Sequence, residues 1–532
     1  MKYKKAPFIA AILMGALALI SCVGSPAHPS PAQTYTPEPA AAATPVPTAS
    51  PQAPGPMVRP VYDDTGRTRY EIDLTFDEKT HMAEARQHVT YVNTTVQELS
   101  SLYMHIYPKH FSKREYVSME IFQPGMTVYP DNAFNPGDIT LDSVRAAGQE
   151  ADYTIQGEDE TILHIPLPAP LKAGASIELD LAYGLSVPYR MGRYAWGETG
   201  TSFANWYPIM AVYDDTGWNL DPYYEIGDPF YSETADYTVT IDMPADMEAA
   251  YTGEVTDDTT SGDRRVLSLT GTGVRDFAFM LSDTYQIEEK TVDDVTVRTA
   301  IPPEGVDLAD LVMETAGEAL HTYNARFGRY IGDTLTVAFV DDYSGMEYPG
   351  IVFIGKDLLN TAKGPQNLQI TIAHEIGHQW WYSAVGNDEI DEPWLDESLT
   401  SFSTLVYGRE SGILPDYWQD IDEIQPQEGR VLEESLGEYE GWDDYEYIYS
   451  FGQFFFVKLM LLLGEDTFYP MMQQYYAEYA YGIARTGDLR DLVASTGNEE
   501  ALSWFDRCVY GSDYRAYGLI VSTNSLPRPS SL

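Results

Sequence analysis

The 532-residue sequence has two cysteines, Cys22 and Cys508, which excludes a disulfide framework and leaves stability to packing and to any bound metal. Basic residues are also scarce: 32 Lys and Arg stand against 81 Asp and Glu, a formal charge of −49. Binding to nucleic acid, which neutralises phosphates with Lys and Arg, is therefore strongly disfavoured. So is charge-driven adhesion to anionic lipid headgroups. The same field attracts cationic peptides, although solubility outside the cell or in salt explains it equally well. No internal repeat of constant period is present. What the chain has in quantity is apolar and aromatic material, 44% and 13%, enough to bury large cores in two or more domains.

At the start, Lys2, Lys4 and Lys5 precede an apolar run from Phe8 to Ile20 that is too short for an ordinary membrane span and reads as an export signal. Its end, Leu19-Ile20-Ser21-Cys22, resembles the lipobox of bacterial lipoproteins, in which the cysteine is lipidated after cleavage. That resemblance implies a signal over 1–22 and an exported chain anchored by lipid on Cys22 to a bacterial cell membrane, with its globular part extracytoplasmic. Acylated Cys22 leaves Cys508 without a disulfide partner. Residues 23–60, rich in Pro, Ala, Thr and Ser, read as an extended tether.

From about Thr68 to Tyr285, runs such as "RYEIDLTFD", "ARQHVTYVN" and "ADYTVTIDMP" alternate apolar and polar residues between turn signals, which predicts an all-β domain over 61–285. The period then changes. "VDLADLVMETAGEALHTYNARFG" has helical spacing, "TLTVAFVDD" is a strand, "GMEYPGIVFIG" a strand with a turn inside it, and helices dominate from Pro365. Residues 286–532 thus read as an α+β, then mainly α, domain.

Within it stands "HEIGHQWWYSAVGNDEIDEPWLDE". With nine histidines in the chain, an H-E-x-x-H string arises by composition about 1 time in 100. On a helix, His374 and His378 lie one turn apart on one face and can reach one ion, while Glu375, offset around the helix, can hold a water. A catalytic zinc takes three protein ligands and keeps a fourth position open. Trp381 and Ala384 stand where a metzincin requires Gly and His, so that class is excluded. Eighteen residues after His378 comes Glu397, near the start of a helix for which Pro393 is a suitable first residue. Alone it would read as a solvated helix-start glutamate; with the upstream motif it completes a His₂Glu site.

This spacing resembles the gluzincin site of the aminopeptidase N family, which includes leukotriene hydrolase. "SGMEYPG" resembles that family's G-x-M-E-N signature, the match falling on Gly345, Met346 and Glu347, and implies that Glu347 binds the substrate's α-ammonium. "YSFGQFFFVKLMLLLG" resembles the helix whose tyrosine precedes a glycine by three positions, which implies Tyr449 with Gly452, although Tyr447 stands close by in a chain of 40 tyrosines. Ser344 and Tyr348 depart from the signature's first Gly and last Asn, and "WLDES" stands where Asn and Gly commonly flank the ligand. The family's second amine-binding side chain has its best neighbourhood in "SFANWYPIMAVYDD". The resemblance covers roughly Arg69 onward, most strongly Asp341 to Leu459.

The resemblance implies a saddle-like β domain followed by a thermolysin-like catalytic domain without the large helical domain that covers the site in many members, and hence a more open cleft. It implies one zinc per chain on His374, His378 and Glu397, Glu375 as general base, and Tyr449 sharing the oxyanion. The expected activity is removal of N-terminal residues from peptides. A thermolysin-like endopeptidase and a non-catalytic peptide-binding lipoprotein are the alternatives. Trp380 and Trp381 are expected in the core, His321 as structural or solvated, and Asp388 to Glu392 as an exposed loop.

Overall fold

In the computed structural model, residues 59–121, 126–362, 364–415, 421 and 424–511 are described; the expected export signal, Cys22 and the expected tether up to residue 58 lie outside them. The alternating runs form one eight-stranded sheet in the order Glu254–Ser261, Arg264–Val274, Ala235–Pro244, Arg69–Asp77, Met82–Val92, Ser176–Ser186, Asp138–Ala146 and Gln149–Glu150. Arg69–Asp77 is buried at every second position, Tyr70, Ile72, Leu74 and Phe76, because one face packs inward while the other meets solvent. Two four-stranded sheets complete the β region. The central pairing of Arg69–Asp77 with Ala235–Pro244 is parallel, Ile72 opposite Val239, so the chain makes a long excursion between them.

A five-stranded sheet follows, in the order Gln286–Val292, Val295–Ile301, Thr334–Val340, Ile351–Gly355 and Gly345–Met346. Its last strand is an edge, antiparallel to its neighbour with Met346 opposite Phe353. Among the described residues the helices are α1 (Ala309–Phe327), α2 (Gln366–Gly377), α3 (Trp394–Glu410), α4 (Trp442–Tyr445), α5 (Tyr447–Ser450), α6 (Gly452–Leu463), α7 (Glu465–Tyr479), α8 (Thr486–Ser495) and α9 (Glu499–Val509). α1 buries Val312, Ala316, Ala319, Leu320, Tyr323 and Phe327, the spacing of one helical face. Trp380 and Trp381 are fully buried; their indole N–H groups donate to the Gly328 carbonyl and Ser403 Oγ, as core tryptophans require.

Arg275 joins the β and helical regions. It is buried and donates to the carbonyls of Ser232, Tyr382, Ala384 and Gly482. A Cβ on Gly386 would fall within 2.5 Å of its guanidinium, so glycine there is what lets the guanidinium reach across.

Candidate active site

The last turn of α2 carries His374 and Glu375, His378 caps its C-terminus, and the first turn of α3 brings Glu397 across from them. The Nε2 atoms of the two histidines are 3.3 Å apart, and Glu397 Oε2 is 3.2 Å from His374 and 3.4 Å from His378. Ligand atoms about 2.0–2.1 Å from a tetrahedral zinc are separated by roughly 3.3 Å, so these three atoms fit one face of such a tetrahedron. His378 Nδ1 lies 3.0 Å from the Trp381 carbonyl. Donation of its N–H there fixes the tautomer that leaves Nε2 free to ligate. Glu397 is buried, yet the imidazoles of His378 and His374 hold its carboxyl down at about 2.

The acidic surplus also suits a cation. Burial pushes the Glu375 carboxyl up to about 8, and the charges of Glu397 and Asp228 push the same way against His378. Burial likewise drives Glu347 well above the ordinary carboxylate range, with Asp228, Glu375 and Glu397 adding to it. Against these carboxylates stand the two imidazoles and Arg193, which is paired to Asp228 at 2.6 Å. A divalent ion on the three ligands would relieve the repulsion.

Two glycines set the geometry. A Cβ on Gly345 would lie 2.1 Å from Glu375 Oε1, so the edge strand can run against the Glu375 carboxylate only because position 345 has no side chain. Gly345→Ala should displace that carboxylate and lower kcat by about 10²-fold or more while zinc content, measured by metal analysis, stays near one per chain. A Cβ on Gly452 would lie 2.0 Å from Ser398 Oγ, and Ser398 Oγ donates to the Ile448 carbonyl at 2.6 Å. This close approach of α6 to α3 brings Tyr449 onto the site, where its hydroxyl donates to Glu397 Oε1. Burial first, then Glu397, push the Tyr449 hydroxyl well above its ordinary pKa, so it is a donor at neutral pH.

Along the edge strand, alternation sends Gly345 and Glu347 to the cavity and Met346 into the β-region core. Met346, expected beside the substrate, is therefore a packing residue. Glu347 is 3% exposed and its Oε1 has no hydrogen-bond partner. Tyr348 turns away from the site and donates to Asn205 Oδ1 at 2.7 Å, while Gln379, just beyond α2, holds the following loop through the Tyr348 carbonyl and the Gly350 N–H. Tyr348 thus ties this loop to the β region.

The cavity holds about 870 Å³ and is closed on the β side by Tyr223 to Asp228 and Arg190 to Arg193. The neighbourhood expected there is instead internal: Phe203, Trp206 and Tyr207 are core, and Asn205 also donates to Asp276. Asp228 and Arg193 carry no sequence motif and were not singled out. A second correction concerns Asp388 to Glu392, where only Asp391 is exposed as expected. Asp388 and Glu389 are buried; Asp388 accepts from the Ile390 and Asp391 N–H groups, and Glu392 accepts from the Thr486 N–H. Burial pushes Asp388 up to about 7 and Glu389 well above its usual value, so Glu389 packs as a neutral acid against the start of α3.

His110 braces the Tyr223 wall from behind, its ring nitrogens 3.2 Å from Asp159 and 3.2 Å from Glu225. Burial alone would lower its pKa, but the hydrogen bonds to both carboxylates win and hold it above the ordinary histidine value. Its contribution is complete below pH about 6.5 and is lost as pH rises through the higher folded value. The melting-temperature gap between the protein and His110→Ala should accordingly narrow from pH 6 to pH 9.

Residues 311–507 match the family model described as Peptidase family M1 domain. The chain is 26% identical over 172 residues to Aminopeptidase M1-B of Oryza sativa subsp. japonica, covering 30% of this chain and 19% of that protein. It is 23% identical over 239 residues to Endoplasmic reticulum aminopeptidase 1 of Homo sapiens, covering 41% and 25%, and 32% identical over 99 residues to Aminopeptidase B of Rattus norvegicus, covering 17% and 15%. It thus spans a quarter or less of these relatives' lengths. In fold it is similar to an M1 zinc metallopeptidase from Deinococcus radiodurans, with a TM-score of 0.57 at 16% identity over 84% of this chain and 94% of that one. A mutant of that enzyme bound to a Tyr-Ser-Ala substrate gives 0.56, again at 16% identity, over 83% and 94%.

Proposed function

The chain belongs to the M1 peptidases, the family of aminopeptidase N, through residues 311–507, and from that premise we propose that it is a zinc aminopeptidase that removes residues from the N-termini of peptides. The observation that carries this reading is Glu347: a buried carboxylate with an unpartnered oxygen, lining the same cavity as the three ligand side chains. Burial favours the neutral acid while Glu347 stands unpaired, and a peptide's α-ammonium beside it would stabilise the charged carboxylate.

Zinc held by His374, His378 and Glu397, one ion per chain, would supply Lewis acidity, polarising the scissile carbonyl and lowering the pKa of water. Glu375 takes a proton from the attacking water and passes it to the leaving amine. Tyr449 donates its O–H to the oxyanion as charge develops. Glu347, with the Asp228 carboxyl nearby, fixes the free amine so that the first peptide bond meets Glu375. The edge strand Gly345–Met346 gives the substrate a backbone to lie along, and on this reading the second domain is thermolysin-like.

N-terminal acetylation of a peptide substrate tests the proposal. Loss of cleavage is expected, because the blocked amine leaves Glu347 unpaired; cleavage of the blocked peptide would make the protein an endopeptidase.

A further inference from the structure

Arg190 is 7% exposed and lines the cavity, its Nε is buried without a hydrogen-bond partner, and among the described residues it forms no ion pair. Its guanidinium rests on aromatic faces, 4.6 Å from the Phe111 ring centroid and 5.5 Å from that of Tyr129. Cation–π contacts hold a cation in place but leave its in-plane N–H donors unused.

Four acids near this wall hold other partners. Asp228 pairs with Arg193 at 2.6 Å, Glu225 accepts from the Ser118 N–H at 2.6 Å and lies 3.2 Å from His110, Asp341 pairs with Lys356 at 2.6 Å, and Asp342 accepts from the Tyr343 N–H at 2.6 Å. Position 192 is glycine, where a Cβ would stand 3.3 Å from Arg190 Nη1 at a φ of +131°. The backbone therefore leaves the guanidinium its space.

Arg190 also stands at a defined place along the substrate path. The Gly192 N–H donates to the Asp341 carbonyl at 2.9 Å, and the Met191 N–H to the Val128 carbonyl at 2.7 Å. Tyr343 Oη donates to the Thr127 carbonyl at 3.0 Å. The Arg190 wall thus adjoins the segment just before Gly345. A peptide anchored by its amine at Glu347, with its first bond beside Glu375 and Gly345, continues towards Tyr343 and Asp342.

We propose that Arg190 is a specificity residue that binds a carboxylate carried by the substrate beyond the cleaved bond, so that Glu347 and Arg190 grip the two charged ends of a short peptide. This rests on the aminopeptidase reading. The carboxylate can be the peptide's C-terminus or an acidic side chain; both offer two oxygens to a guanidinium fork.

The test compares kcat/KM for tri-alanine, tri-alanine amide and Ala-Ala-Glu-amide on the zinc-loaded protein, beside alanyl-4-methylcoumarin amide, which carries no carboxylate. Tri-alanine should exceed its amide by about tenfold or more, and the ratio should fall to near one in Arg190→Gln with partial recovery in Arg190→Lys. Recovery with Ala-Ala-Glu-amide assigns the site to an acidic side chain, and its absence to the C-terminus. Cleavage of the coumarin amide with a wild-type ratio near one, or a ratio unchanged in Arg190→Gln, would overturn the Arg190 assignment and leave the aminopeptidase standing. If nothing is cleaved, calorimetry of the same peptides decides: tighter binding of tri-alanine than of its amide keeps Arg190 and rejects the peptidase, and equal binding rejects both.

Discussion

Glu375→Gln is expected to reduce kcat by about 10²–10⁴-fold with zinc content unchanged. Glutamine keeps the size of the side chain and its fit under Gly345, where a Cβ would stand 2.1 Å from Glu375 Oε1, but it cannot accept a proton from water. The ligand atoms belong to other residues, so metal analysis should still return one zinc per chain. KM should move little, since Glu347 and the cavity wall still receive the amine. If the variant keeps near-normal turnover, Glu375 is not the base and the assigned chemistry fails.

The second large effect concerns the metal. His374→Ala removes one of the three atoms spaced 3.2–3.4 Å apart and leaves Glu397 and Glu347 buried with less positive charge to face. Removing outer-shell partners of a metal ligand costs about 10–100-fold in affinity, and removing the ligand itself should exceed that. The variant is expected to carry no zinc after dialysis, to show no measurable hydrolysis, and to lose the rise in melting temperature that zinc gives the wild type by binding only the folded state. A His374→Ala protein that still binds zinc stoichiometrically and turns over would place the metal elsewhere.

How much of this was legible beforehand depends on whether a residue's neighbours are near it in sequence. The ligand set was readable because His374 and His378 share a helix turn and Glu397 opens the next helix. The strands were readable because Arg69–Asp77 and Met82–Val92 bury every second side chain. Met346 was misjudged for want of one fact, the phase of a two-residue edge strand, which turns it into the β-region core. Asp388 to Glu392 looked like a solvated charge run because composition does not reveal that α3 and α8 close over it. Asp228, Arg193 and Arg190 had no signal: they come from β-region loops more than 100 residues before α2, and only tertiary packing brings them to the cavity. Gly345 and Gly452 were visible as family matches, but the reason for each, a carboxylate at one and a serine at the other, needed coordinates.

The measurement that bears most directly on the whole account is hydrolysis of alanyl-4-methylcoumarin amide by the protein with zinc removed and restored, alongside the N-acetylated substrate. The account predicts cleavage of the free-amine substrate only, abolished by chelation and recovered with zinc. Cleavage that persists without metal, or that acts equally on the acetylated substrate, would contradict it.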